Sequence, residues 1–145
     1  MLDRKFFEKL RKDVIPMYRR HIWIDEKDVN NKKFPKYSTA YSIAKKSGKL
    51  KRAAKKWKDS TAPALSGDLH NSIDQIETRS DGFKFGTTVY GARVKNLAKM
   101  GRLLSTDKQP LPEKVEKFID KEANQYVNKR FEKELPRKKT IRIKL

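Results

Sequence analysis

The sequence predicts an α+β fold: a small antiparallel sheet with a central hairpin, flanked by an N-terminal helix, a basic helical segment and a long C-terminal helix. Residues 73–78 and 83–89 are predicted strands, because the turn Ser80-Asp81-Gly82 separates them and apolar residues alternate along the second. Residues 3–17 and 113–134 carry apolar side chains at helical spacing. Since two strands alone are only marginally stable, the hairpin must pack on the helices or pair with further strands.

The chain length of 145 residues suits one domain, which we place at residues 1–135, followed by a basic, strand-like tail at 136–145. In the tail, Ile141, Ile143 and Leu145 alternate with basic residues. Such a segment can add to an exposed sheet edge, in its own subunit or in a neighbour. These three residues are therefore predicted subunit contacts.

The first helix is predicted from Asp3, which is placed to cap it, to Met17. Its apolar face is formed by Leu2, Phe6, Leu10, Val14 and Met17. Pro16 is expected to bend or end this helix. Residues 21–24 form an apolar run too short to assign to a strand or a helix, and residues 25–34 are predicted to be a polar loop.

A basic segment from Ser38 to Ser60 is predicted to be helical, with an interruption at Ser47-Gly48. Its cations are the predicted contacts for an anionic partner: Lys45, Lys46, Lys49, Lys51, Arg52, Lys55, Lys56 and Lys58. A solvated helix face is the alternative, but so many like charges repel one another, which favours a real anionic partner. Tyr41 and Trp57 could stack on nucleic-acid bases, although at this spacing aromatic residues are more often core anchors.

The central hairpin follows a predicted chain reversal at Ser66-Gly67-Asp68, which can start a short helical turn. Phe83, Phe85 and Val89 are expected to face the core. Gly86, within the second strand, indicates a bulge or a close backbone approach.

A short helix is then predicted to end at Gly101 in a left-handed cap. Pro110-Leu111-Pro112 precedes the longest helix, Glu113 to Glu134. Its apolar stripe consists of Val115, Phe118, Ile119, Glu122 or Ala123, Tyr126, Val127 and Phe131. We expect this stripe to cover one face of the sheet.

The charge balance favours an anionic partner, either nucleic acid or an acidic protein surface. The chain has 37 Lys or Arg against 18 Asp or Glu, a formal net charge of +19. It has no cysteine, so disulfides and thiolate metal sites are excluded. No apolar run approaches the ~18 residues that a membrane helix needs, and we predict no membrane contact.

No catalytic set stands out in the sequence. His21 and His70 lie far apart, with no other ligand at metal-binding spacing. Asp68, Asp74 and Lys84 could be drawn as a nuclease-like set, but among 18 acidic residues coincidence is the better explanation. The sequence has no phosphate-binding glycine loop. We therefore predict no enzyme activity, no cofactor and no metal.

Residues 34–134 carry an ordered series of short motifs. In chain order they are Phe34-Pro35, Tyr37-Ser38, Tyr41, Lys45, Leu65, Ser66-Gly67, Leu69, Ser72-Ile73, Gly86-Thr87, Val89, Tyr90-Gly91-Ala92 and Gln109-Pro110-Leu111-Pro112. This order resembles the virion-morphogenesis family of tailed bacteriophages, which includes tail-completion, tail-terminator and neck proteins. The family's "His-Gln-aromatic-Gly" stretch is reduced here to Gly101.

The resemblance implies a structural virion protein without catalysis, an antiparallel sheet flanked by helices, and a homo-oligomeric ring of six or twelve copies at the head–tail junction. Its implied partners are portal or adaptor and tail proteins, with possible contact to packaged DNA. Its implied location is the virion neck or tail, and the host cytoplasm during assembly. The alternative is a basic nucleic-acid-binding protein that acts outside a particle.

Overall fold

The computed structural model describes residues 2–50, 52–64 and 67–134, and within them the fold is α+β, as the sequence predicts. The helices and strands in chain order are α1 (Arg4–Arg19), α2 (Thr39–Lys46), α3 (Asp68–Ser72), β1 (Asp74–Thr78), β2 (Phe83–Gly86), α4 (Gly91–Lys99) and α5 (Glu113–Glu134). A π-helical turn, Arg20–Ile24, continues α1, and a 3₁₀ turn, Lys55–Trp57, follows α2.

Several helix ends lie where local sequence signals predict them. Asp3 caps α1 by accepting a hydrogen bond from the backbone N–H of Phe6 at 3.0 Å. Gly101 follows α4 with φ +80°, and its N–H donates to the carbonyl oxygen of Ala98. α5 begins directly after Pro112, as predicted. These ends are set by residues close to them in sequence.

The first helix does not end at Pro16. It runs to Arg19 and continues into the π-helical turn. An internal proline costs about 3 kcal/mol. The continued winding buries Tyr18, Ile22 and Trp23, and each such side chain contributes about 1.5–3 kcal/mol when fully buried. The burial of three large side chains therefore outweighs the proline.

The hairpin is antiparallel, and its register is irregular between Gln75 and Glu77. The irregularity leaves Ile76 as the extra residue of β1, so the bulge lies in the strand opposite Gly86 rather than at the glycine itself. A β-carbon on Gly86 would lie 3.7 Å from Cδ1 of Ile76. The glycine thus faces the bulge across the hairpin.

Two of the three residues predicted on the core face of the second strand are partly buried. Phe83 and Phe85 pack against the apolar core. Val89, however, is 75% exposed, so its predicted core position is wrong. β2 ends at Gly86, and the strand alternation therefore does not extend to residue 89.

α1 is the central element of the core, because it contributes to two apolar clusters. Its residues Phe6, Phe7, Leu10 and Val14 form one cluster with Val115 of α5, and Ile15 and Tyr18 belong to the other. α1 packs on both strands and on α5. The prediction that α5 covers a face of the sheet is therefore wrong: α1 is the helix that lies mainly on the sheet, and α5 packs on α1.

The outer half of α5 leaves apolar side chains in solvent. Val115 in the first turn is fully buried, and Phe118 packs against the cluster formed with α1. Further along the same predicted stripe, Val127 is 42% exposed and Phe131 is 61% exposed. The apolar stripe is thus longer than the surface that the described chain offers to cover it.

The basic segment is helical over a shorter length than predicted. α2 ends at Lys46, and Gly48 follows in a left-handed conformation with φ +76°. After this break the described backbone is irregular until the 3₁₀ turn, which carries Trp57 into the core. The prediction of one basic helix that resumes after Gly48 is wrong, because burying the indole requires the chain to turn inward.

Candidate anion-binding site

Most described cations of the basic segment lie on the surface. The exposed ones are Lys46, Lys49, Arg52, Lys55 and Lys56, while Lys58 is partly buried. Lys46 pairs with Asp59 at 3.5 Å between Nζ and Oδ1. One predicted anion contact, Lys51, lies outside the described residues. The three predicted subunit contacts of the tail also lie outside them: Ile141, Ile143 and Leu145.

Lys45 departs from the prediction, because its side chain is buried and only 1% exposed. Its Nζ donates to the carbonyl oxygen of Ser60 at 2.9 Å and lies 5.1 Å from the ring centroid of Tyr37. Burial lowers the pKa of Lys45, and the charge of Arg102 lowers it further. Lys45 is therefore part of the interior and is not available as a surface contact for an anion.

A cleft of about 580 Å³ lies beside α2, between residues 36–41, residues 63–64 and α4, and we call it the cationic cleft. Its cations are Lys36, Arg52, Arg93 and Arg102, and no Asp or Glu is found among the described residues that line it. Arg52 is the described member of the predicted contact set that reaches it. The cleft is thus positively charged along most of its rim.

The walls of the cationic cleft are largely apolar. They are formed by Pro63, Ala64, Leu97 and Met100, together with the ring of Tyr41. Met100 is 60% exposed, so a large apolar side chain at the mouth of the cleft faces solvent. A ligand that contacted both the cations of the rim and the apolar walls would combine an anionic group with an apolar group.

Tyr37 and Arg102 form a stacked pair at one side of the cleft. The guanidinium carbon of Arg102 lies 4.0 Å from the ring centroid of Tyr37, which is cation–π geometry. The hydroxyl of Tyr37 donates to the carbonyl oxygen of Ala62 at 3.0 Å. Burial raises the pKa of Tyr37, so the phenol stays protonated and keeps this bond at neutral pH.

Arg102 is itself 4% exposed. Its Nη2 donates to the carbonyl oxygen of Pro35 at 2.7 Å, whereas its Nε has no hydrogen-bond partner among the described residues. Arginine stays charged at all ordinary pH values, and a buried charge is costly unless it is paired. The cleft is thus lined by a buried cation whose Nε lies inside the protein without a hydrogen-bond partner among the described residues.

The cap of α4 explains how Arg102 reaches this position. Gly101 takes the left-handed conformation, and the N–H of Arg102 donates back to the carbonyl oxygen of Leu97 at 2.9 Å. This pairing is a Schellman motif, which reverses the chain at the helix end. The side chain that follows the cap is thereby turned inward to Tyr37.

Sequence reasoning missed Lys36, Arg93 and Arg102 as members of one site. Lys36 is more than fifty residues from the other two, Arg93 lies within α4 and Arg102 follows its cap, so no local pattern joins all three. One signal was present: Arg93, Leu97 and Met100 are spaced four and three apart, so Met100, the C-cap residue, continues the face of α4 that carries Arg93 and Leu97. That spacing places a cation and two apolar residues on the same surface.

Other chemistry is sparse in the described part of the chain. No group of three or more His, Asp or Glu side chains there is arranged to hold a metal ion. His21 is buried, with Nε2 2.8 Å from the carbonyl oxygen of Asp28, and His70 lies against the rings of Trp23 and Trp57. No described helix combines the length and the apolar character needed to cross a bilayer.

Comparison of the chain with known protein families, with curated proteins and with solved structures gave no match in any of the three.

Proposed function

We propose that this chain is a structural subunit of a tailed-phage particle, in a neck, tail-completion or tail-terminator role, and that it acts by assembly without catalysis. The observation that carries the proposal is the apolar surface that is exposed on the described part of the chain. Val127 and Phe131 on α5 and Val89 after β2 are exposed. Val127 and Phe131 are four residues apart on α5 and so are neighbours on one helix face, and neighbouring exposed apolar side chains are typical of surfaces that a partner covers.

The sheet supports the same reading. In the described part of the chain it has two strands, so each strand has one edge with no strand beside it. Open edges invite pairing with another chain, and subunits that pair head to tail around an axis close into a ring. A ring of six or twelve copies follows from the resemblance of residues 34–134 to virion-morphogenesis proteins.

The positive charge suits the expected neighbours of such a ring. The exposed cations of the basic segment would recur once per subunit, facing packaged DNA or the acidic surfaces of portal, adaptor and tail proteins. A net charge of +19 on 145 residues gives a ring of six a formal charge above one hundred, which an anionic partner would offset.

The test is a particle made without this chain. We expect unjoined heads and tails, and we expect electron cryomicroscopy of complete particles to show the chain as a ring at the junction. Native mass spectrometry of the purified chain would give the number of copies. Normal infectious particles that lack the protein would refute the proposal.

A second candidate is a nucleic-acid-binding protein that acts outside a particle, and the exposed cations Lys49, Arg52, Lys55 and Lys56 favour it. It predicts that the soluble monomer binds free DNA or RNA, with an affinity that falls steeply as salt rises because each neutralised phosphate releases counterions. A flat dependence of affinity on salt concentration would eliminate this candidate.

A further inference from the structure

The cationic cleft combines three features that are independent of one another. Exposed cations stand at its rim, at Lys36, Arg52 and Arg93. Apolar walls lie between them. Arg102, a buried residue, also lines it, and the Nε of its guanidinium is buried without a hydrogen-bond partner among the described residues. We propose that this cleft binds an acidic peptide segment of a partner protein, with an apolar side chain seated in the cleft and neighbouring carboxylates paired with the rim cations.

Charge complementarity requires the ligand to be anionic. The described residues lining the cleft include four cations and no carboxylate. The hydrogen-bond acceptor of Arg102 is a neutral carbonyl oxygen, and its stacking partner is a neutral phenol. A carboxylate can accept two parallel hydrogen bonds from a guanidinium, which makes this pairing stronger than one between neutral groups.

The apolar walls favour a peptide with an apolar side chain over a free inorganic anion. Inorganic phosphate would leave the surfaces of Leu97 and Met100 in water. A volume of about 580 Å³ falls within the range of about 300–1,000 Å³ that is usual for pockets holding small organic groups. It accommodates a Leu or Phe side chain with a flanking carboxylate.

Duplex nucleic acid fits the cleft less well than a peptide. Its phosphates lie on a convex surface, and its bases are stacked inside, so it has nothing to place against the apolar walls. A single strand could place a base on Tyr41, and the experiment is designed to reject or accept that outcome. The assignment of the partner to the same particle rests on the proposed function, whereas the chemistry of the cleft does not.

The test uses the full chain and three fluorescent probes in binding titrations at fixed salt. The first is a short peptide with one Phe among Asp and Glu residues. The second is the same peptide with Asn and Gln in place of the acids, and the third is a single-stranded oligonucleotide of equal net charge. We expect the acidic peptide to bind tightest and to shift the amide NMR signals of residues 36–41 and 93–102.

Two charge reversals on one helix locate the binding. Arg93→Glu changes an exposed cation that lines the cleft, and Lys99→Glu changes an exposed cation of α4 that does not line it. We expect Arg93→Glu to weaken binding of the acidic peptide at least tenfold and Lys99→Glu to change it less than twofold. Far-ultraviolet circular dichroism and urea midpoints confirm that both variants fold.

Three outcomes would overturn the inference: tighter binding of the oligonucleotide at the same residues, equal losses in the two variants, or binding that Arg93→Glu does not weaken. Failure of the cleft assignment and failure of the proposed function give different experimental results. A chain seen at the head–tail junction but unable to bind the peptide refutes only the cleft assignment. Peptide binding by a chain that is missing from particles refutes only the proposed function.

Discussion

Gly67 lies so close to Trp57 that a β-carbon at residue 67 would be 2.8 Å from the indole Nε1. Real β-carbons do not approach other heavy atoms so closely, so either the backbone or the indole would have to move. The φ angle of Gly67 is also +89°, in the left-handed region that L-residues avoid. Space and backbone conformation thus both require glycine between the 3₁₀ turn and α3.

We expect Gly67→Ala to lower the free energy of unfolding by about 2–6 kcal/mol. Strain at a positive φ costs about 1–3 kcal/mol, and forcing a methyl group into a filled space adds about 1–3 kcal/mol. The measurement is urea denaturation followed by tryptophan fluorescence. Gly48→Ala is the matched control, because Gly48 has φ +76° but nothing within 4 Å of the new β-carbon. Equal losses in the two variants would show that the contact with Trp57 is not tight.

Tyr18→Phe tests the connection between α1 and the loop before α5. The Tyr18 hydroxyl is buried and donates to the carbonyl oxygen of Leu104 at 2.6 Å. Removing it takes this donor from a buried carbonyl group, so we expect a loss of about 1–2 kcal/mol in the free energy of unfolding. Tyr41→Phe is the control, since its hydroxyl has no hydrogen bond within the described residues. A similar loss in the control would contradict this account.

The helix ends that the sequence predicts well are those with a capping or terminating residue beside them. Asp3 caps α1, and Pro112 and Gly101 mark the start of α5 and the end of α4. The spacing of apolar residues along a helix shows which face is buried, but it does not show which element covers that face. The spacing of the α5 stripe therefore does not show that its main neighbour is α1, which also packs on both strands of the sheet.

The candidate site was predictable only in part, for a related reason. A dense lysine run indicates a positive surface, but it does not show which cation turns inward, as Lys45 does to reach Ser60. Nor does it indicate cations contributed from elsewhere. Arg93 and Arg102 join Arg52 at the cleft only because the tertiary fold brings α4 beside the basic segment.

Mild acid is expected to destabilise the fold through His21. Burial lowers the pKa of His21 below its ordinary value of 6.5, against a smaller opposing effect of the hydrogen bond to Asp28. Its Nε2 donates to the Asp28 carbonyl oxygen, and its Nδ1 is buried with no partner among the described residues. A proton on Nδ1 would be a buried donor without an acceptor.

The direction follows from the lowered pKa. Between the folded pKa and about 6.5, the unfolded chain binds more protons, so the stability present above pH 6.5 is lost as the pH falls. We expect urea midpoints to drop from pH 7.5 to pH 5.5, and to drop less in His21→Gln, whose amide can still donate to Asp28. Burial also lowers the pKa of His70, so this residue accounts for part of the pH dependence that remains in His21→Gln. An unchanged pH dependence in His21→Gln would remove the role assigned to this histidine.

Deleting residues 140–145 tests the predicted subunit contacts of the tail. We expect assembly to weaken while the urea midpoint of the monomer stays unchanged, because Ile141, Ile143 and Leu145 are predicted to pair with a neighbouring subunit. Replacing these three residues by Ser should reproduce the defect. Arg142→Gln with Lys144→Gln should not, since the apolar side chains are kept. Loss of monomer folding would instead mean that the tail pairs with the sheet of its own subunit.

Phe131 and Phe118 stand on the same helix but should respond differently to the same change. Phe118 packs against the cluster formed with α1, so Phe118→Ser is expected to lower the free energy of unfolding by about 2–4 kcal/mol. Phe131 is 61% exposed, and Phe131→Ser should change the stability of the monomer by less than about 0.5 kcal/mol. If the outer half of α5 is covered by a neighbouring subunit, Phe131→Ser will shift the assembly equilibrium towards monomer, as measured by sedimentation velocity at several concentrations. Unchanged assembly would show that Phe131 is an ordinary exposed side chain, and the interface would then have to lie elsewhere on the subunit.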